Sequence, residues 1–158
     1  MSPPRVTLRP AAIDDAELLL AWANDPATRA ASLSSRRIGR PEHVAWLTDR
    51  LADASSGIWI GLVPDESTPV GVVRFELDGE RIAVVSITVA PAARGQGVGT
   101  GLLRAGLVAA RVRLRPGGFR AWVKRDNEAS IRLFEGAGFR RLSNATPDRL
   151  EFQLPASA

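Results

Sequence analysis

The stretch "VAPAARGQGVGTGLLRAGL", residues 89–107, narrows the folds open to this chain more than any other. A β-branched run ends at Val89, glycines stand at 95, 97, 99 and 101, and an apolar helical pattern follows. Glycines at alternate positions strip side chains from one side of the backbone, so an anion can approach it closely. The helix behind them offers unpaired N–H groups and the positive end of its dipole. Strand, bare loop and helix in that order predict a phosphate cradle. A turn that merely joined strand to helix would cost stability at four positions with no ligand to offset it.

Two common phosphate loops fail on spacing. The dinucleotide fingerprint needs glycines at the first, third and sixth places, but counting from Gly95, Gly97 or Gly99 puts Thr100, Leu102 or Arg104 in the sixth. A Walker loop ends in Gly-Lys-Ser/Thr, and the only lysine of the chain is Lys124.

The surrounding pattern predicts an α+β fold with one mixed sheet. Residues 5–9 alternate as a strand, and "DDAELLLAWANDP" reads as a helix with an acidic first turn, ended by Asn24, Asp25 and Pro26. Pro41 opens a second helix with Val44, Leu47 and Leu51 on one face and Trp46 beside it. Then "GIWIGLV", the turn "PDESTP", "VGVVRFEL", the hairpin signal "DGE" and "RIAVVSITV" describe an antiparallel meander. The glycine segment opens a helix burying Val98, Leu102 and Leu103. "FRAWVK" returns as a strand, "NEASIRLFEGAG" as a short helix, and "FRRL" and "RLEFQL" as the last strands. The order β-α-α-β-β-β-α-β-α-β-β holds about seven strands and about four helices.

A chain of 158 residues suits one domain, read here as 1–154 with 155–158 as a flexible tail. No apolar run approaches the roughly 20 residues needed to span a bilayer, and no signal-peptide core opens the chain, so a cytoplasmic protein without membrane partners is expected. The net charge of +4 comes from arginines scattered between Arg5 and Arg149 among acidic residues, which argues against nucleic acid as a partner. With no cysteine and one histidine, thiolate and imidazole metal sites are excluded, and no metal is expected.

"ITVAPAARGQGVGTGLL" resembles the acetyl-CoA motif of the GNAT superfamily of N-acetyltransferases, Arg/Gln-x-x-Gly-x-Gly/Ala after a strand ending Val-x-Pro; Arg94, Gly97 and Gly99 fill it. "NEASIRLFEGAGF" is similar to the superfamily's second motif, Asn-x-x-x-x-x-x-Tyr-x-x-x-Gly-Phe. The resemblance implies a sheet split between the fourth and fifth strands, residues 81–89 and 119–124, with pantetheine inserted like an extra strand. It implies that the N–H groups of residues 95–100 (Gly95, Gln96, Gly97, Val98, Gly99 and Thr100) hold the pyrophosphate. Ile87, Thr88 and Val89 would line the thioester, with the Val89 N–H polarising its carbonyl. Asn127 would bond the pantetheine arm, a role compatible with capping the helix at Glu128, and Ser130 would add a contact near the phosphates.

Transfer to an amine needs a neutral amine, a polarised thioester and a proton for the leaving thiolate. The superfamily's tyrosine position is filled here by Phe134, and the chain has no tyrosine. Phe134 is expected to pack with Ile131 and Phe139 beside the cofactor; water or Ser130 remains as donor. Glu76, Ser86 and His43 are the candidate bases.

The N-terminal third resembles acetyltransferases acting on nucleotide-linked amino sugars of pseudaminic-type pathways, through Asn24, Asp25-Pro26, Arg29, Ser32, Ile38, Glu42-His43 and Trp46-Leu47. That likeness implies acceptor contacts from Arg29, Glu42, His43 and Trp46. Arg29, Arg36 and Arg37 can meet a diphosphate and Trp46 or Trp22 can stack on a base, although Trp22 equally suits the core. The leading expectation is an acetyl-CoA-dependent N-acetyltransferase acting on such a sugar. The alternatives are an N-terminal acetyltransferase of the ribosomal-protein type and a non-catalytic acetyl-CoA-binding module. A homodimer is compatible with all three.

Overall fold

The computed structural model describes residues 4–63, 66–143 and 146–157. The first two residues of the "PDESTP" turn, Pro64 and Asp65, and the last residue of the tail, Ala158, lie outside them. Seven strands form one sheet in the order β1-β2-β3-β4-β5-β7-β6. They are β1 (Thr7–Pro10), β2 (Ser56–Val63), β3 (Glu66–Leu77), β4 (Ile82–Val89), β5 (Gly118–Lys124), β6 (Arg140–Arg141) and β7 (Arg149–Pro155). All pairings are antiparallel except that of β4 with β5.

Strand alternation sorts the two faces. Val73 and Phe75 of β3 are fully buried on one side, with Phe75 edge-on to Trp59 and Phe119. Helix α4 (Val98–Leu114) covers this side, burying Val98, Leu102, Leu103 and Ala110. A Cβ on Gly106 would stand 2.9 Å from a Val73 methyl, so glycine lets the helix lie close to the sheet. Phe134 of α5 (Glu128–Gly136) packs there too, against Phe139 and Phe152 at 5.1 and 6.3 Å between ring centroids. The opposite face carries α1 (Ala16–Ala23) and α3 (Arg40–Ala52), seated through Leu19, Trp22, His43 and Leu47.

Two boundaries differ from the sequence reading. The stretch after α1 holds a fifth helix, α2 (Pro26–Ala31). Helix α1 stops at Ala23 with Asn24 as its C-cap, as read, and Pro26 in addition opens α2: its missing N–H costs nothing in the first turn, and the Asp25 carboxylate accepts the Thr28 N–H as the cap. The tail begins later than read, because Pro155 closes β7 and the Ala156 carbonyl accepts Nε–H of Arg111 at 2.9 Å.

Candidate active site

Pairing between β4 and β5 covers only Ile82 to Val84 opposite Gly118 to Arg120. Beyond Val84 the two strands part. The Ala90 N–H donates to the Val70 carbonyl at 2.8 Å, so this residue turns its backbone groups toward β3. Alternate residues of a strand point their backbone groups the same way. Thr88 and Ser86 therefore also face β3, while Val85, Ile87 and Val89 present their N–H and C=O groups to the gap. Such groups demand partners, and an extended ligand lying in the gap supplies them.

The gap opens into a cavity of about 1270 Å³ that runs along both sides of the split. Its donor half is lined by Val85 to Val89, Arg94, Gly95, Gly97 to Thr100, Asn127, Ser130 and Phe134. Gly95 and Gly97 adopt φ of 76° and 77°, a left-handed conformation that glycine takes without strain. Gly97 is the N-cap of α4 and has no side chain to satisfy the first-turn N–H groups, which stay available to an anion. Gly101 serves packing instead: a Cβ there would meet a Val6 methyl at 2.9 Å and the Pro4 carbonyl at 3.0 Å. Gln96 is not part of the lining; its amide donates to the Ala92 carbonyl at 3.3 Å.

At α5 the Asn127 Oδ1 accepts the Ser130 N–H at 3.2 Å, the expected cap. Phe134 is 3% exposed yet borders the cavity, so a side chain that serves the core also closes the floor of the site.

The acceptor half is lined by Trp22, Arg29, Ser32, Ile38, Glu42, His43, Trp46 and Arg74 among others. Arg29 has another occupation than the one expected of it. It donates from Nε to the Ala23 carbonyl at 2.6 Å, from Nη1 to the Ser34 and Arg36 carbonyls at 3.1 and 3.0 Å, and from Nη2 to the Ser32 hydroxyl at 3.1 Å. It knots the connection between α2 and α3. Asn24 tightens the same connection by exchanging two 2.8 Å bonds with the Ile38 backbone. Arg36 is engaged by Glu42 at 3.0 Å.

Of the three candidate bases, His43 and Ser86 reach the cavity and Glu76 does not. The Glu76 carboxylate is held by Arg74 at 3.2 Å and Arg50 at 3.5 Å. His43 is buried on α3, with Nε2 3.1 Å from the Ala16 carbonyl. A carbonyl only accepts, so Nε2 carries the proton and Nδ1 is left as the acceptor. Burial pulls its pKa below the usual 6.5, against smaller upward pulls from that hydrogen bond and from Glu17.

Arg74, Trp122 and Arg132 are among the lining residues that escaped the sequence reading. Alternation on β3 places Arg74 opposite the buried Val73 and Phe75, but does not tell a cavity from open solvent. Among the described residues, no group of three or more His, Asp or Glu side chains converges as a metal site would require. No helix among them is long and apolar enough to cross a membrane.

A family model described as an acetyltransferase (GNAT) domain matches residues 5–140. The chain belongs to the GNAT acetyltransferase family. It is thus an acetyl-CoA-dependent N-acetyltransferase, and its sheet carries the split between β4 and β5. Among solved structures, this GNAT domain is similar to spermidine N-acetyltransferase from Vibrio cholerae in complex with CoA and spermine. The two share 17% identity over 97% of this chain and 96% of that one, with a TM-score of 0.87. It is also similar to yncA from Salmonella typhimurium, solved with acetyl-CoA, at 23% identity, 96% and 94% coverage and a TM-score of 0.80. A domain from Methanocaldococcus jannaschii gives 20% identity, 96% and 99% coverage and a TM-score of 0.82. At these identities the likeness is one of fold. The curated proteins contain no match to the sequence.

Proposed function

We propose that this enzyme transfers acetyl by direct attack of a primary amine, and that the amine belongs to a nucleotide-linked amino sugar. The observation that carries the reading is the continuity of the cavity: the unpaired edge of β4 opens, without an intervening wall, onto the pocket between α1, α3 and β3. Donor and acceptor can then meet beside Val89.

Acetyl-CoA supplies the activated thioester. For the chain's part, the Val89 N–H donates to the thioester carbonyl and stabilises charge developing on that oxygen. First-turn N–H groups of α4 and the left-handed glycines hold the pyrophosphate, and Arg94 adds charge beside them. The Asn127 amide nitrogen, which has no partner among the described residues, donates to the pantetheine arm. His43 takes the proton of the attacking amine, directly or through one water, because burial keeps it neutral and Nδ1 is its open acceptor. Ser86 lies along the same wall and orients the amine. With Phe134 in the usual acid position, solvent or Ser130 protonates the thiolate, a tolerable leaving group near neutral pH.

The sugar acceptor is supported by the resemblance of the pattern from Asn24 to Leu47 and by Arg74 in the lining of the cavity. A polyamine acceptor is the second reading, favoured by the spermine bound to the Vibrio neighbour. Thiol release from acetyl-CoA, measured across nucleotide amino sugars, polyamines and N-terminal peptides, tests the assignment. Turnover confined to the sugars is expected. Turnover confined to polyamines or peptides overturns it, and tight acetyl-CoA binding without turnover on any amine identifies a non-catalytic module.

A further inference from the structure

On the face of the sheet under α3, Arg74 shares its carboxylate partner with a second arginine. Arg74 sits in the middle of β3, directly across from Ser86 of β4, and lines the acceptor half of the cavity. Its guanidinium lies over the Trp46 ring, 5.0 Å from the centroid, a cation–π contact that helps to hold the group in place. The Glu76 carboxylate two residues on accepts one bond from it at 3.2 Å. That same carboxylate also neutralises Arg50, at 3.5 Å. Arg50 also feels the charge of Asp53, so of the two it is Arg74, whose Glu76 partner is shared, that has the less complete counter-charge. Arg50 does not line the cavity, whereas Arg74 does.

A half-buried guanidinium with an incomplete counter-charge loses hydration without full repayment in pairing. Burial draws the Arg74 pKa down, while Glu76 draws it up. An arginine stays charged under any such pull, so an anion brought in from the cavity would complete its pairing. Arginine presents its donors in a planar fork, the geometry that matches carboxylate and phosphate oxygens.

We propose that Arg74 anchors an anionic group, carboxylate or phosphate, on the acceptor. The proposal rests on the acetyltransferase reading and narrows its substrate class. Trp46 is then a positioning residue that holds the fork, Glu76 competes with the acceptor's anion for one of its donors, and the amine of the same molecule reaches the split at Val89. Three residues of β4 separate Ser86, which faces Arg74, from Val89, a span of about 10 Å along the strand. The anion and the amine therefore lie several bonds apart in the acceptor. A polyamine has a cation where this pocket offers another cation.

The test compares ω-amino carboxylates, aminoalkyl phosphates, amino alcohols of matched length and spermidine as acceptors, with wild type, R74Q, R74K and E76Q. Wild type should prefer the anionic amines to the amino alcohols by tenfold or more, and the ratio of phosphate to carboxylate turnover names the favoured anion. R74Q should raise KM for the anionic amines at least tenfold, leaving KM for the amino alcohols and for acetyl-CoA unchanged; R74K should restore part of the preference. E76Q frees the Arg74 fork and should lower KM for the anionic amines, which keeps the idea testable where R74Q folds poorly. Equal losses on charged and neutral amines, or an unchanged preference with only a lower Tm, would reduce Arg74 to a structural residue. Preference for spermidine would overturn the anchor and leave the acetyltransferase intact. Should no amine turn over, calorimetric titration of CoA-loaded protein with the anionic amines decides: binding lost in R74Q sustains the anchor while acetyl transfer fails, and binding unaltered in R74Q refutes it.

Discussion

Arg94 of the glycine loop donates to the Asp25 carboxylate at 2.6 Å and, from the same nitrogen, to the Thr28 hydroxyl at 2.9 Å. The hydrogen bond from Arg94 is the chief reason that the Asp25 pKa lies below the usual 3.8. Lys124, at the end of β5, donates to the Ala30 carbonyl at 2.9 Å. Helix α2 is thus tied at its start to the loop that follows β4 and at its end to β5, the two arms of the split.

Arg94→Ala should accordingly disturb both substrates. It releases α2 from the loop and, on the proposed binding mode, removes a cation beside the pyrophosphate. A rise of about tenfold in the acetyl-CoA Kd, about 1.4 kcal/mol, is expected together with a raised acceptor KM. Asp25→Asn keeps Arg94 in place and should raise the acceptor KM while leaving acetyl-CoA affinity near that of wild type. Calorimetry with CoA and acceptor titrations at saturating acetyl-CoA separate the two; identical profiles for both variants would contradict the strap.

The glycines of the loop should divide by role. At Gly97 a side chain is forced into a left-handed conformation and projects where an anion must approach, so Gly97→Val should abolish measurable CoA binding. Gly101→Ala instead crowds Val6 and the Pro4 carbonyl, so it should lower Tm and leave CoA affinity unchanged. Unaltered CoA affinity in Gly97→Val would count against the whole cradle.

The glycine loop, the helix behind it and the Asn127 cap were legible in the sequence because their parts are local. Loop, helix start and the run from Asn127 to Phe139 each occupy one short segment, and their spacing survives folding. The acceptor half is assembled from α1, α2, α3 and β3, so its roles depend on which neighbours a side chain finds. Arg29 looked free and is spent on four backbone and side-chain acceptors within its own connection. Glu76 looked like a base and is shared by two arginines. Arg74 carried no local signal at all, since an arginine alternating with buried apolar residues is the ordinary pattern of a strand with one wet face.

Arg29 offers a direct check on that distinction. Arg29→Ala removes the knot between α2 and α3 rather than a ligand contact. A lower Tm and a raised acceptor KM are expected for neutral and charged amines alike, with acetyl-CoA affinity kept. A selective loss on nucleotide-linked acceptors would instead make Arg29 a diphosphate contact.

Phe134→Tyr adds a hydroxyl to a ring that borders the cavity while keeping its packing on Phe139 and Phe152. Its kcat should equal or exceed that of wild type, because the added group can donate to the leaving thiolate. Phe134→Ala should cost about 3–5 kcal/mol of stability through the void it leaves. A dead but folded Phe134→Tyr would remove this position from the neighbourhood of the thioester.

His43 links pH to both activity and stability, and the sign follows from its burial. Its folded pKa lies below the ordinary 6.5, so above 6.5 the residue is neutral in the folded and unfolded states alike and the full stability is present. As pH falls below 6.5 the unfolded chain takes up the proton first, and stability is lost until the folded pKa is passed. Asp15, Asp25, Asp53, Asp78 and Asp148 are all held below 3.8, so their losses come at lower pH and do not obscure this window. Denaturant melts of wild type should therefore weaken as pH falls below 6.5, and those of His43→Gln should not. The same variant should lower kcat/KM on the order of 100-fold and remove the acid limb that wild type shows below pH 6.5. A full acid limb in His43→Gln would return the proton transfer to Ser86 or to water.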